Sequence, residues 1–398
     1  MIINKRPGLL LKVLISIILG IIFSLFFPDW AVRVFVTLNA LFSNFLSFII
    51  PLLILGLIAP GIADLGKGAG KLLIITVAIA YGSTIFSGFF SYFSTKWSLP
   101  LIIEPSTNIS DSGFIFTDTI LPYFKLDMPP LMGVTSSLIL AFLLGIGISA
   151  INGDKLKTAF SEFREIIILV IKSVIIPLLP FYIFGIFLKI GAEGQMSMII
   201  NLFFKLILVI FAMHILLLLI QFIVAGIITG KNPLKALLTM MPAYVTALGT
   251  QSSAATIPVT LMQAKKNGVN EDIADFVIPL CATIHLAGST LKIVSCAVAV
   301  MYMTGLPTGL DLFSGFIMML GITMVAAPGV PGGAIMAAIA ILQSMLGFDE
   351  TLIGLMVALY ITMDSFGTAC NVTGDGAIAL VVNKISASSA GLNQRVDN

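Results

Sequence analysis

The sequence predicts an all-α, polytopic membrane protein, and three observations predict it. Of 398 residues, 58% are hydrophobic and only 10% charged, with a mean hydropathy of +1.11. Soluble domains carry about 25% charged residues, so this chain has too little charge to cover a water-facing surface. The apolar residues fall in runs of about 20 residues or more, long enough to cross a bilayer as helices. The basic residues, finally, cluster in alternate connections between those runs, as they do in multi-pass proteins.

The first span covers about 9–27. A basic start precedes it and no small-residue cleavage site follows, so it is read as a retained transmembrane helix. A second span, about 34–62, contains Pro51 and Pro60 and is expected to kink. The third runs from about 72 to 93. The stretch 96–130 is the most polar of the chain and is expected to be an irregular outside loop. A fourth span, about 131–151, ends in NGDKLK. The fifth, about 163–190, holds Lys172, Pro177 and Pro180 and is expected to bend. The sixth, about 198–228, is almost uniformly Ile, Leu, Phe and Val, with His214 as the ionisable group at its middle; a buried, hydrogen-bonded neutral histidine is expected there.

Lys5 and Arg6, Lys67 and Lys71, Lys155, Lys157 and Arg164, and Lys231 and Lys235 mark one side of the membrane. Asp29, Glu104, Asp111, Asp118 and Glu193 mark the other. The positive-inside rule places the N-terminus in the cytoplasm. Compact length and short loops point to a bacterial plasma membrane, with lipid as surroundings. A net charge of +2 and the lack of any basic block leave no nucleic-acid partner. Cys281, Cys296 and Cys370 have neither metal nor disulfide spacing and read as small packing residues.

After residue 235 the pattern changes. Residues 236–266 are broken by ALGTQSSAATIPVT, 274–303 by HLAGST, 310–346 by AAPGVPGG, and 352–382 by GTACNVTGD. The order is hairpin, broken helix, hairpin, broken helix, a repeat of two units that in transporters is commonly inverted. Unwound backbone at membrane depth is tolerated where it lines a cavity. Its N–H groups suit a carboxylate and its C=O groups a cation.

The last run carries the strongest polar signal. On a helix, Asp364, Thr368, Asn371 and Asp375 fall at roughly 0°, 40°, −20° and 20°, a stripe about 16 Å long. Two acids and an amide at this depth mark a substrate or ion path. A plain interhelical seam would need hydroxyls and amides instead.

At these residues the sequence resembles the glutamate transporter family, the dicarboxylate/amino acid:cation symporters. ALGTQSSAATIPVT (247–260) resembles that family's serine-rich hairpin, GVPGG (329–333) its second hairpin tip, and NVTGD (371–375) the motif of its last helix. The resemblance implies eight transmembrane helices plus two re-entrant hairpins in a homotrimer. It divides the chain into scaffold helices one and two (1–71), helix three of a transport domain (72–95), an outside loop with scaffold helices four and five (96–191), and a transport core (192–398). That domain moves as an elevator, with the second hairpin as outer gate.

The resemblance also implies roles. Asp364 would hold a substrate ammonium and Asn371 its α-carboxylate. Gln251, Ser252 and Ser253 of the first tip, Val330, Pro331 and Gly332 of the second, and Gly367 and Thr368 would complete the substrate site. Asp375 would hold Na+ with backbone oxygens of Cys281, His285 and Asn371. Oxygens near Thr283 and of Met324, Val325 and Ala327 would hold a second Na+. Hard oxygen ligands suit an alkali cation, and no other cofactor is implied.

Three departures refine this reading. The arginine that clamps an acidic substrate in the family is Gly367 here, and Gln251 replaces the first hairpin serine. A buried substrate carboxylate without a cation costs several kcal/mol, so the expected cargo is a small neutral amino acid such as serine, threonine or alanine, with room at Gly367. Where the family reads NMDGT, this chain reads HLAGS (285–289); Ala287 removes the acid of a further sodium site, and fewer sodium ions are expected. Tyr81 and Thr84 resemble residues that support that site and are read here as packing.

Lys292, seven residues after His285 and on nearly the same face, has three readings: a tethered cation replacing an ion, a ligand for a dicarboxylate or acidic amino acid, or a lysine snorkelling to a polar edge. His285 either couples protons or supplies a carbonyl and a hydrogen bond. An intramembrane hydrolase is disfavoured: two histidines and a serine run without a GxSxG elbow do not make a triad. A simple channel is disfavoured by the repeated hairpins and the acid–amide stripe.

Overall fold

The computed structural model describes residues 9–64, 71–102, 120–151, 154–194, 196–325, 327 and 331–396. Among these there is no strand. In chain order the helices are α1 (Leu9–Ser24), α2 (Asp29–Asp64), α3 (Lys71–Ile102), α4 (Val134–Ile151), α5 (Asp154–Val170), α6 (Ile176–Ala192), α7 (Met196–Thr229), α8 (Pro233–Thr250), α9 (Ser253–Lys266), α10 (Glu271–Ile284), α11 (Ala287–Met303), α12 (Leu310–Val325), α13 (Gly333–Leu346), α14 (Glu350–Thr362) and α15 (Asp364–Val396).

Among the described residues, five stretches are long and apolar enough to cross a membrane: Asp29–Pro60, Leu72–Leu101, Asp154–Ala192, Phe203–Thr229 and Glu271–Met303. The pair α14–α15 is a sixth, bent by 60°. α1 and Ile139–Ile151 of α4 are apolar but shorter. This is a multi-pass helical membrane protein.

The fifth span runs from α5 into α6 through a π turn at Ile171–Ile175. Pro177 and Pro180 lack the N–H groups that would donate back to this segment, and a wide turn absorbs the mismatch. α3 continues to Ile102, past the expected start of the outside loop at Lys96. Leu99 is buried there, and Lys96 Nζ reaches Tyr92 Oη at 3.1 Å and the Thr308 carbonyl at 3.2 Å, so the last turns have tertiary partners. The irregular stretch after residue 119 is tied to α2: Tyr123 N donates to Thr37 Oγ1 at 2.9 Å, and the Arg33 guanidinium lies 4.5 Å from the Tyr123 ring centre.

α1, α2, α4, α5 and α6 pack mainly on one another, whereas α15 packs on α7, α8, α9, α10 and α11, and α3 on α11 and α12. α11 is buried at every residue from Ala287 to Met301, and α14 from Leu352 to Ile361. A helix apolar on all sides belongs in the interior, so any polar group on α11 must find its partner there.

Candidate functional site

The break in the last span is at Met363, not within Gly367–Asp375 as expected. Met363 ends α14 at φ −108°, ψ 10°, and α15 starts at Asp364 and runs unbroken through GTACNVTGD. The glycines there serve close packing rather than unwinding. A Cβ at Gly367 would sit 2.4 Å from Lys292 Cε, and one at Gly374 would sit 2.7 Å from Gln221 Oε1. Because α15 is continuous, Asp364, Thr368, Asn371 and Asp375 do share one face, and each is buried.

α10 and α11 are separated by non-helical backbone at His285, which is extended (φ −102°, ψ 98°), and Leu286 (φ −119°, ψ 42°). The first N–H groups of α11 have no carbonyl within their own helix, and α15 supplies the acceptor. Asn371 Oδ1 accepts from Gly288 N at 2.7 Å and Ser289 N at 3.3 Å, while Asn371 Nδ2 donates to Ser289 Oγ at 3.1 Å. Ser289 Oγ is also 3.0 Å from Tyr360 Oη. The Asn371 amide, expected on a substrate carboxylate, is thus engaged with α11.

Both hairpin tips reach the start of α15. At the first, Gln251 adopts the left-handed conformation (φ 53°), the one non-glycine residue to do so among those described, and its Nε2 donates to Ser365 Oγ at 3.0 Å. Ser252 caps α9 by accepting from Ala255 N at 3.3 Å, and Ser253 is buried. At the second, Gly332 (φ 74°) follows half-buried Pro331, and its N–H donates to Asp364 Oδ2 at 2.8 Å. Val330 lies outside the described residues.

Lys292 is fully buried, so it does not snorkel. Its Nζ lies 3.2 Å from Asp364 Oδ1, 3.3 Å from the Met363 carbonyl and 3.6 Å from the centre of the Tyr360 ring. The space expected at Gly367 for a substrate side chain is filled by the Lys292 chain.

The second acid of the stripe has a basic partner too. His285 Nδ1 is 2.8 Å from Asp375 Oδ1, and its Nε2 is 3.1 Å from Ser83 Oγ, which accepts from Gln221 Nε2 at 3.0 Å. Ser83 on α3 and Gln221 on α7 were not singled out from sequence. An amide in the otherwise apolar run after His214 was the available signal for Gln221; Ser83 had none. The Cys281 carbonyl accepts from His285 N at 2.8 Å, the hydrogen bond closing α10. Thr283 is exposed, Met324 and Ala327 are buried and Val325 is half-buried, and α10 packs on α12. Tyr81 Oη donates to the Met318 carbonyl at 3.4 Å and Thr84 Oγ1 to that of Ala80, both structural contacts. His214 Nε2 is 3.0 Å from the Gly288 carbonyl, a buried, hydrogen-bonded histidine as expected.

Interrupted helices whose breaks meet at buried, paired charges define a membrane transport protein with its site at the discontinuities. A profile of the sodium:dicarboxylate symporter family matches residues 9–385. The chain belongs to that family, which is made up of transporters rather than enzymes; it is a cation-coupled symporter of dicarboxylates or amino acids.

Proposed function

We propose that the cargo is a small neutral amino acid, bound as a zwitterion between Asp364 and Lys292. The observation that carries this reading is the Lys292–Asp364 contact at 3.2 Å beside Gly367. A zwitterion inserted into a buried ion pair gives its ammonium to Asp364 and its carboxylate to Lys292, so the assembly stays neutral. A second substrate carboxylate adds an unpaired charge, which at this depth costs several kcal/mol. The Gly332 N–H on Asp364 and the Gln251 amide on Ser365 bring both tips to this place, and in this reading Pro331, Ser252, Ser253 and Thr368 complete the site with them. Val330 belongs to the same tip by sequence.

Sodium is the coupling ion in this reading, held by backbone oxygens near Thr283 and along Met324, Val325 and Ala327. Eight spans and two re-entrant hairpins form a homotrimer in a bacterial plasma membrane, with the N-terminus in the cytoplasm. Residues 1–71 and 96–191 are the scaffold and its outside loop; 72–95 and 192–398 move as an elevator with the second hairpin as gate.

A second reading has one observation in its favour. The Lys292 ammonium lies where the side chain of residue 367 would start, the position of the family's arginine, so it is placed to receive an acidic side chain. Uptake of labelled serine and aspartate into liposomes, with and without an inward sodium gradient, separates the two. Sodium-driven serine uptake without aspartate uptake supports the proposal; aspartate uptake alone supports the second reading.

A further inference from the structure

We propose that His285 closes the carboxylate of Asp375 to sodium, so that this symporter works without an ion at that position. The inference rests on the chain's membership of a sodium-coupled family and not on the amino-acid cargo proposed above.

A sodium ion needs oxygen lone pairs directed at it, and a carboxylate is the charged member of such a set. Asp375 is buried, and its Oδ1 lies 2.8 Å from His285 Nδ1. With Asp375 ionised, the state in which it could hold a cation, the carboxylate only accepts, and the tautomer that satisfies it carries its hydrogen on Nδ1. The imidazole therefore presents a donor to Oδ1, occupying a lone pair that a cation would need.

The ring is also fixed from its far side. Nε2 is bonded to Ser83 Oγ, and Ser83 in turn to Gln221 Nε2. Turning the imidazole away would break both of its hydrogen bonds in an apolar interior, where each lost partner leaves a costly unsatisfied group. Room for the ring is provided by Gly374, next to Asp375: a Cβ there would lie 2.9 Å from His285 Cε1. Four elements, α3, α7, the α10–α11 break and α15, are thus shaped around this one side chain.

Equilibrium binding of 22Na+ to the purified full-length protein, without substrate, tests this. Asp375→Asn keeps the shape and an acceptor for His285 but removes the charge. The expected result is the same number of sodium ions per protomer in the wild type and D375N. One fewer ion in D375N overturns the proposal. His285→Asn should add about one sodium ion per protomer, seen also as a sodium-dependent rise in melting temperature that H285N/D375N lacks. A folded H285N with no such gain overturns it as well. Should H285N not fold, the D375N comparison decides alone. Neither readout uses an amino acid, so failure of the cargo assignment leaves the result interpretable.

Discussion

Lys292 Nζ and Asp364 Oδ1 face each other at 3.2 Å across the α11–α15 contact, with both side chains withdrawn from the surface. Two residues 72 positions apart in sequence thereby place a cation and an anion side by side, where the two hairpin tips also arrive.

Removing one partner of this pair leaves an uncompensated charge. Lys292→Met is expected to destabilise the protein by about 3–5 kcal/mol and to abolish uptake. Lys292→Met combined with Asp364→Asn should recover most of the melting temperature but none of the transport. Thermal unfolding and liposome uptake on the same preparations check both halves.

Gly367→Ala places a methyl 2.4 Å from Lys292 Cε and 2.6 Å from Nζ. Overpacking of this kind costs about 1–3 kcal/mol, and the displaced ammonium should weaken substrate affinity. In a Lys292→Ala background the same change should cost less in melting temperature, because the clashing Cδ, Cε and Nζ atoms are gone; a double-mutant cycle measures the coupling.

Asn371→Ala removes the acceptor for two α11 N–H groups. A buried donor left without a partner costs about 1–3 kcal/mol. The expected outcome is a lowered melting temperature and faster amide exchange at the start of α11, read by hydrogen–deuterium exchange mass spectrometry.

Gly332→Ala forces a side chain into the left-handed region at φ 74°, at a cost of about 1–2 kcal/mol. Since the Gly332 N–H holds Asp364 Oδ2 at 2.8 Å, the change should raise the KM for uptake more than it lowers protein stability. An unchanged KM would mean that this tip does not touch the transported state.

Much of this arrangement was legible in the sequence because helical spacing is rigid. Asp364, Thr368, Asn371 and Asp375 share a face once the segment is helical, and an interior lysine announces itself by its cost. The tips at Gln251–Ser252 and near Gly332 were also visible, since small and polar residues interrupt apolar runs there. The break at Met363 was not. Gly367, Gly374 and Gly376 look like helix breakers in one dimension, and only the neighbours show that they permit close approach. The Ser83–Gln221 support of His285 was hidden because a helix that is apolar on every side has no periodicity to show which residues face inward. Nor could spacing say that Lys292 meets Asp364 and His285 meets Asp375, since those contacts depend on how α11 lies against α15.

The most direct test of the zwitterion site is a binding comparison among molecules that differ by one charged group. Binding to the purified protein would be measured by calorimetry for L-serine, for glycerate, which lacks the ammonium, for ethanolamine, which lacks the carboxylate, and for L-aspartate and succinate. Binding of L-serine, with each of the others at least tenfold weaker, is the predicted result. Tighter binding of succinate or aspartate than of serine would contradict it and assign Lys292 to an acidic cargo.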